Sequence, residues 1–431
     1  MNMTAVLVIV FVVTLLAGVP VSMAMGGAGL ASLLWGGQVS PMLVAQRLFS
    51  GLDSFPMMAI PFFILAAELM TGGRITDLLV KFACRLIGNV RGGLGYANVI
   101  MAIFMAGISG SALADAAGPG SVIIRMMRQA GYPVGYAAGL TAASSIIAPI
   151  IPPSIIMVVY ALTDNSVSVI GMFMAGIVPG LLLGVSLLTL NWWIAKRENF
   201  TFPLPRPSWG TFLLSSWKVF PAALMPLIIL GGIHSGLFTP TEASAVAAVY
   251  AFVVGRFVIG TLSIKQVPQI LVTTALMSSV VMIVVSMATI FAYMLTVLQI
   301  PQSVSQAIVS LDLPPLGLLI VVSLFLLICG LFLDTLPAVI ILVPILAPVA
   351  QAAGINPLHF AMVVILNLTI GMITPPVGGV LFVVSVVTKM PLFTLARAVM
   401  PMLITELVVF VLIVLFPGLS TWLPNLFGYT H

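Results

Sequence analysis

In a chain with only 6% charged residues, few side chains can do chemistry, and here they recur. Ser109, Gly110 and Ser111 interrupt one apolar stretch, and Ala148-Pro149-Ile150-Ile151-Pro152-Pro153-Ser154 interrupts the next. Gly330, Asp334 and Thr335 interrupt a third, and Gly371-Met372-Ile373-Thr374-Pro375-Pro376 a fourth. Gly107 and Gly330, Gly131 and Gly354, Pro152 and Pro375, and Pro153 and Pro376 are all 223 residues apart. One offset without a gap means duplicated halves. A helix broken inside a membrane turns backbone carbonyls or amides toward a cavity. Carbonyls and hydroxyls suit Na⁺, and helix N-termini suit anions. Proline frees one more carbonyl a turn earlier because it lacks an N–H.

The first set gives a candidate sodium site of Ser109, Gly110, Ser111, Ala148, Pro149 and Ile151. The second gives Gly330, Asp334, Thr335, Gly371 and Thr374, with Asn367 and Thr369 a turn before the break. Ser109, Ser111, Ser145, Ser154, Asn367 and Thr374 are candidate substrate-binding residues. Asp334 is open to three roles: sodium ligand, proton carrier, or N-cap of the following helix. Asp115, four residues past Ser111, suits capping or pairing. Glu242 follows Pro240 in a first helical turn, where an acid is favoured. Arg47 and Glu68 read as interfacial.

Other chemistries are excluded or disfavoured. His234, His359 and His431 are scattered without metal spacing, and Cys84 and Cys329 read as packing residues rather than a disulfide. No Walker-type glycine loop is present, so ATP is not the energy source. No Ser–His pairing or Gly-x-Gly-Asp element supports intramembrane proteolysis, and the chain reads as non-enzymatic. Coupling to an ion gradient remains, with no cofactor beyond the coupling ion.

The elements that must hold these residues are membrane helices. The chain has 431 residues, 61% hydrophobic, and cannot present a water-soluble surface. Its long unalternated apolar runs predict an all-α polytopic membrane protein rather than a β-barrel. Residues 3–35 read as one retained span kinked at Pro20, not a signal peptide. Residues 50–70 form the second. Residues 74–91 place Arg74, Asp77, Lys81 and Arg85 on one face, predicting an amphipathic arm lying on the membrane. A re-entrant hairpin over 92–129 and a Pro-broken helix over 135–162 follow, then a span over 167–195. A polar connector over 196–208 precedes a linking helix over 213–235. The second half, 236–431, repeats the plan: spans over 240–256 and 268–298, a hairpin over 314–350, a broken helix over 357–388, and a span over 395–419. Residues 1–212 form the first half.

Lys and Arg orient the halves. With the arm cytoplasmic, Arg125, Arg128, Lys196, Arg197, Arg206, Arg256, Lys265, Lys389 and Arg397 share its side. Of fifteen basic residues, Arg47 alone falls outside. That topology inverts the second half relative to the first, with a cytoplasmic N-terminus and a periplasmic C-terminus. The net charge of +5 reads as positive-inside residues, not a nucleic-acid surface.

At this point the chain resembles the large membrane subunit of tripartite ATP-independent periplasmic (TRAP) transporters. The resemblance covers essentially the whole chain. It rests on Ala59-Ile60-Pro61-Phe62-Phe63, Gly92-Gly93-Leu94-Gly95, Ser109-Gly110-Ser111 with Ala114-Asp115, and Ala148 through Ser154. It continues in Phe238-Thr239-Pro240-Thr241-Glu242-Ala243, Leu333-Asp334-Thr335 and Ile373-Thr374-Pro375-Pro376. Leu331-Phe332 gives the second tip a bulkier character than the first. The resemblance implies a sodium-coupled importer (a symporter) of organic acids such as C4-dicarboxylates, sialic acid or sugar acids, in a bacterial inner membrane. It implies an elevator mechanism, and two partners: a small four-helix membrane subunit and a periplasmic substrate-binding protein. Two other readings stay open: a stand-alone sodium–organic-anion symporter of the same superfamily, and a non-transporting membrane scaffold.

Overall fold

The computed structural model describes residues 2–36, 41–87, 90–198, 200, 209–309 and 314–429. Arg206, Asp312, His431 and most of the connector after Glu198 lie outside the described residues. Among the described residues the chain is helical throughout, without strands. The first half contains α1 (Met3–Leu16), α2 (Val21–Gly36), α3 (Pro41–Ser50), α4 (Ala59–Gly72), α5 (Ile75–Ile87), α6 (Gly93–Ser109), α7 (Ala112–Ala117), α8 (Pro119–Gln129), α9 (Val134–Ser145), α10 (Ile155–Thr163) and α11 (Val169–Glu198). The second contains α12 (Trp209–His234), α13 (Pro240–Val253), α14 (Val267–Val297), α15 (Ile300–Val309), α16 (Pro315–Phe332), α17 (Thr335–Ala352), α18 (Pro357–Gly371), α19 (Gly379–Thr388), α20 (Leu392–Leu415) and α21 (Gly418–Leu426). Among the described residues, seven helical stretches are long and apolar enough to cross a membrane. Many large apolar side chains on them are exposed, as the bilayer allows.

Shifted by 223 residues, α5 falls on α15, α6 on α16, α7 and α8 on α17, α9 on α18 and α10 on α19. The repeat in the sequence is therefore a repeat in the fold. The single kinked span expected over 3–35 is corrected to a helical hairpin. Ser32 Oγ donates to the Met3 carbonyl at 3.0 Å, so the start of α1 lies beside the end of α2. Gly18, at φ +81°, takes the left-handed conformation that closes the turn, and Pro20 sits within it. The α12–α13 pair, packed together around Pro240, repeats that hairpin. The helix expected to link the halves is thus the counterpart of α1.

The start signal of α13 has its partner. Thr239 and Glu242 close a capping box on α13: Thr239 N–H donates to Glu242 Oε2 at 2.8 Å, and Glu242 N–H donates back to Thr239 Oγ1 at 3.3 Å. At the other end of the hydropathy scale, Lys196 and Arg197 lie over the Trp192 and Trp193 rings at 5.3 and 5.6 Å, an aromatic belt closing α11.

Helix α11 also shows the inversion. Near its C-terminal end, Asn191 Nδ2 donates to the Gly92 carbonyl at 3.4 Å, at the base of the first hairpin. Just before its N-terminal end, Ser166 Oγ accepts from Gln351 Nε2 at 2.9 Å, at the base of the second. These anchors are 25 positions apart along the chain, roughly 37 Å if helical throughout. The hairpins enter from opposite ends, yet their tips meet.

Around this frame, α2, α4, α13 and α14 pack on one another, and α6 to α11 pack with α16 to α21. The amphipathic α5 lies against α6 and α12, and its counterpart α15 lies against α14 and α17.

Candidate functional site

Both hairpin tips and both helix breaks converge on one cavity of about 180 Å³. Gly110, Ser111 and Pro149 face it from the first half, and Asp334, Thr335 and Met372 from the second. Three helices begin at its wall: α7 with Ala112 and Leu113, α10 with Ile155 and Ile156, and α17 with Thr335 and Leu336. The positive ends of three helix dipoles therefore point at one small volume. Val281 of α14 closes a further side.

The first tip is built by hydroxyls. Helix α6 ends at Gly110, whose φ of +58° turns the chain. A Cβ there would lie 2.8 Å from the Pro153 carbonyl, so the tip rests directly on the break. Ser111 caps α7, its Oγ accepting from Ala114 N–H at 3.4 Å. Ser109 Oγ donates to Asp115 Oδ1 at 2.5 Å and accepts weakly from Ser111 N–H at 3.4 Å. Asp115 is buried, and among the described residues its Oδ2 has no partner. Pairing therefore describes Asp115 better than capping. Beside it lies a small void of about 10 Å³, bordered by Met101, Ala102 and Met105 as well as by Asn98, Thr141, Ser144 and Ser145. Asn98 Nδ2 donates to Thr141 Oγ1 at 2.8 Å and its Oδ1 accepts from Ser144 Oγ at 3.3 Å.

The first break runs from Ile146 to Ser154 between α9 and α10, with a cis Pro152–Pro153 bond. Ser154 caps α10 and donates its hydroxyl to the Pro149 carbonyl at 2.6 Å. The carbonyls of Ala148 and Ile151 accept no hydrogen bond among the described residues. They are hard oxygens with free lone pairs, the ligand type that suits a cation such as Na⁺. Pro149 has one lone pair already engaged.

The second tip is built by backbone. Asp334 caps α17, its Oδ1 accepting from Thr335 N–H at 2.7 Å and from Thr335 Oγ1 at 3.3 Å. Asp334 is exposed to the cavity, whereas Thr335 is buried. Gly330 and Gly371 bring α16 and α18 into backbone contact: a Cβ on Gly371 would fall 2.7 Å from Gly330 C and Cα. Thr374 Oγ1 donates to the Ile370 carbonyl at 2.8 Å. The cis Pro375–Pro376 bond follows.

Of the residues expected to meet a ligand, Ser111 lines the cavity, with Ser109 one residue behind Gly110. Thr374 belongs to the second break but not to the cavity wall. Ser145 borders the small void and donates to the Ala142 carbonyl at 2.7 Å. Ser154 is enclosed within the first break. Asn367 donates to the Ser323 carbonyl at 2.7 Å, tying α18 to α16 away from the central cavity. Leu113, Ile156, Val281 and Met372 are wall residues that sequence reasoning did not single out. The caps Ser111 and Ser154 marked where α7 and α10 begin, but nothing marks Val281 within the uniformly apolar α14.

The whole fold has a solved relative. The Alcanivorax borkumensis YdaH transporter superposes with a TM-score of 0.67, covering 89% of this chain and 90% of that one, at 14% identity. In sequence, the sialic acid TRAP transporter large permease protein SiaM of Vibrio cholerae is 40% identical over 96% of this chain and 97% of its own. The 2,3-diketo-L-gulonate TRAP transporter large permease protein YiaN of Escherichia coli is also 40% identical, over 94% and 97%. The family model described as "Tripartite ATP-independent periplasmic transporter, DctM component" matches residues 8–419. With this match across nearly its full length, the chain belongs to the DctM component family, the large membrane permeases of TRAP transporters.

Proposed function

We propose that this permease imports an organic acid by symport with Na⁺. The observation that carries the reading is the convergence of three helix N-termini on one cavity between the hairpin tips. Such a cavity favours a carboxylate. The substrates named for the two relatives, sialic acid and 2,3-diketo-L-gulonate, are both acids.

The acid sits between Ser111 and Thr335, its carboxylate on the amides that begin α7, α10 and α17. Ser109, Gly110, Ser111, Ala148, Pro149 and Ile151 hold one Na⁺ behind the first tip. Gly330, Asp334, Thr335, Gly371 and Thr374 hold another behind the second. The Na⁺ ions and the carboxylate offset one another's charge, which makes crossing the bilayer less costly than moving the acid alone.

The helices α6 to α11 and α16 to α21 move together as an elevator against α1 to α4 and α12 to α14, with α5 and α15 as arms. In this division the second repeat begins at α12. With the arm cytoplasmic, the α1–α2 hairpin returns the N-terminus to the face of Arg47, the periplasmic side, which the C-terminus shares. The tripartite assembly supplies a small four-helix membrane subunit and a periplasmic binding protein. A stand-alone symporter of the same fold would transport in proteoliposomes without that binding protein.

Thermal unfolding of the purified chain in NaCl against KCl at equal ionic strength tests the coupling ion. At ten times Kd, Na⁺ stabilises the folded form by about 1.4 kcal/mol. Identical melting in the two salts overturns the sodium reading.

A further inference from the structure

A groove of about 470 Å³ opens on the outer side of the second break. Pro375 and Pro376 form one wall, and Leu392, Phe393, Ala396 and Met400 of α20 form the other. Its lining is apolar except at Arg397. The Arg397 guanidinium lies 4.5 Å from the Phe393 ring centroid, and among the described residues it has no carboxylate partner. Phe393 and Met400 are exposed, at 69% and 40%. Lys389, also exposed, precedes α20.

An apolar trough with a cation at one rim matches one molecule of the surrounding medium. Within hydrocarbon no water fills it, and an acyl chain does so without desolvation cost. At the rim, a guanidinium without an acid partner is a fork for phosphate oxygens. We propose that the groove binds an anionic phospholipid, its phosphate on Arg397 and one acyl chain against Pro375 and Pro376. The leaflet rests on the topology proposed above; the groove and its cation do not. The acyl chain lies against the second break, whose Met372 lines the central cavity.

Native mass spectrometry of the purified full chain, offered phosphatidylglycerol or phosphatidylcholine with the same acyl chains, tests the site. The wild type should retain phosphatidylglycerol preferentially. Arg397→Gln should lower that retention about fivefold, as expected for one interfacial charge, and Arg397→Lys, which keeps the charge but not the fork, should restore only part of it. Met400→Trp, which fills the trough at an exposed position, should lower retention of both lipids. Equal retention of the two lipids by the wild type, or undiminished retention by Arg397→Gln, overturns the proposal. Full retention by Met400→Trp also overturns it and leaves the groove to a partner helix. Neither sodium nor substrate enters the measurement, so its failure is separate from failure of the transport reading.

Discussion

The two breaks occupy equivalent places in the repeat, yet different chemistry holds them. In the first half side chains do the holding: Ser154 on the Pro149 carbonyl, Ser109 on Asp115, Asn98 between Thr141 and Ser144. In the second half two glycines let backbone meet backbone at Gly330 and Gly371. The position equivalent to Gly371 is Ala148, so the first half lacks that helix-to-helix contact, and among the described residues its tip approaches the break at Gly110, against the Pro153 carbonyl. A hydroxyl network can shift by rotating side chains, whereas backbone contact cannot. The first break is therefore the one whose oxygens can reorient, and the second is the rigid one.

Gly371→Ala is the most severe way to break this contrast. Its new Cβ meets backbone that cannot rotate aside, which should cost about 3 kcal/mol or more in thermal unfolding. Gly330→Ala, whose Cβ would sit 3.0 Å from the Leu368 carbonyl, should cost less. Equal tolerance of both variants would show that the second break is not held by this contact.

Next comes Ser109→Ala. It leaves Asp115 buried with neither oxygen bonded, a loss of about 1–3 kcal/mol. Replacing Asp115 with Val in the same chain should recover part of the stability, because both polar partners are then gone. The sodium-dependent rise in melting should fall in both variants to what the second proposed site supplies. If Ser109→Ala keeps that rise, only backbone oxygens serve the first site.

Asp334→Asn separates capping from ion binding in the second half. Asn caps as well as Asp, so melting in KCl should move by only a few tenths of a kcal/mol. The sodium increment, about 1.4 kcal/mol at ten times Kd, should fall to what the first proposed site supplies if the carboxylate is a ligand. An unchanged increment would leave Asp334 as the cap seen in its bonds to Thr335.

Much of this was legible in the sequence because it depends on residues that interrupt helices. The fixed offset from Gly107 to Gly330 and from Pro152 to Pro375 gave both hairpins and both breaks, since glycine and proline act on backbone locally. The α1–α2 hairpin was missed because Gly18 and Pro20 look alike whether they kink a helix or reverse it; the contact of Met3 with Ser32 decides, and it is not local. The same limit applies to the site. Ser145, Ser154 and Asn367 have the right chemistry, but helix rotation turns their hydroxyl and amide groups onto neighbouring backbone. Val281 reaches the cavity only because α14 packs across it.

The smallest expected effect sharpens the comparison most finely. Asn98 on α6 and Asn367 on α18 serve equivalent contacts, α6 with α9 and α16 with α18, and each ties a hairpin leg to its broken helix. Asn367 does so through one bond to the Ser323 carbonyl, beside a backbone contact that already fixes the helices. Removing it as Asn367→Leu should cost about 0.6 kcal/mol, the average for a hydrogen bond between membrane helices. Asn98 bonds two hydroxyls of α9, and no glycine contact like that of Gly330 and Gly371 joins α6 to α9 among the described residues. Asn98→Leu should therefore cost at least twice as much in the same unfolding assay. If Asn367→Leu proves the costlier, the second break depends on side-chain bonds after all, and the assignment of a rigid half and an adjustable half must be reversed.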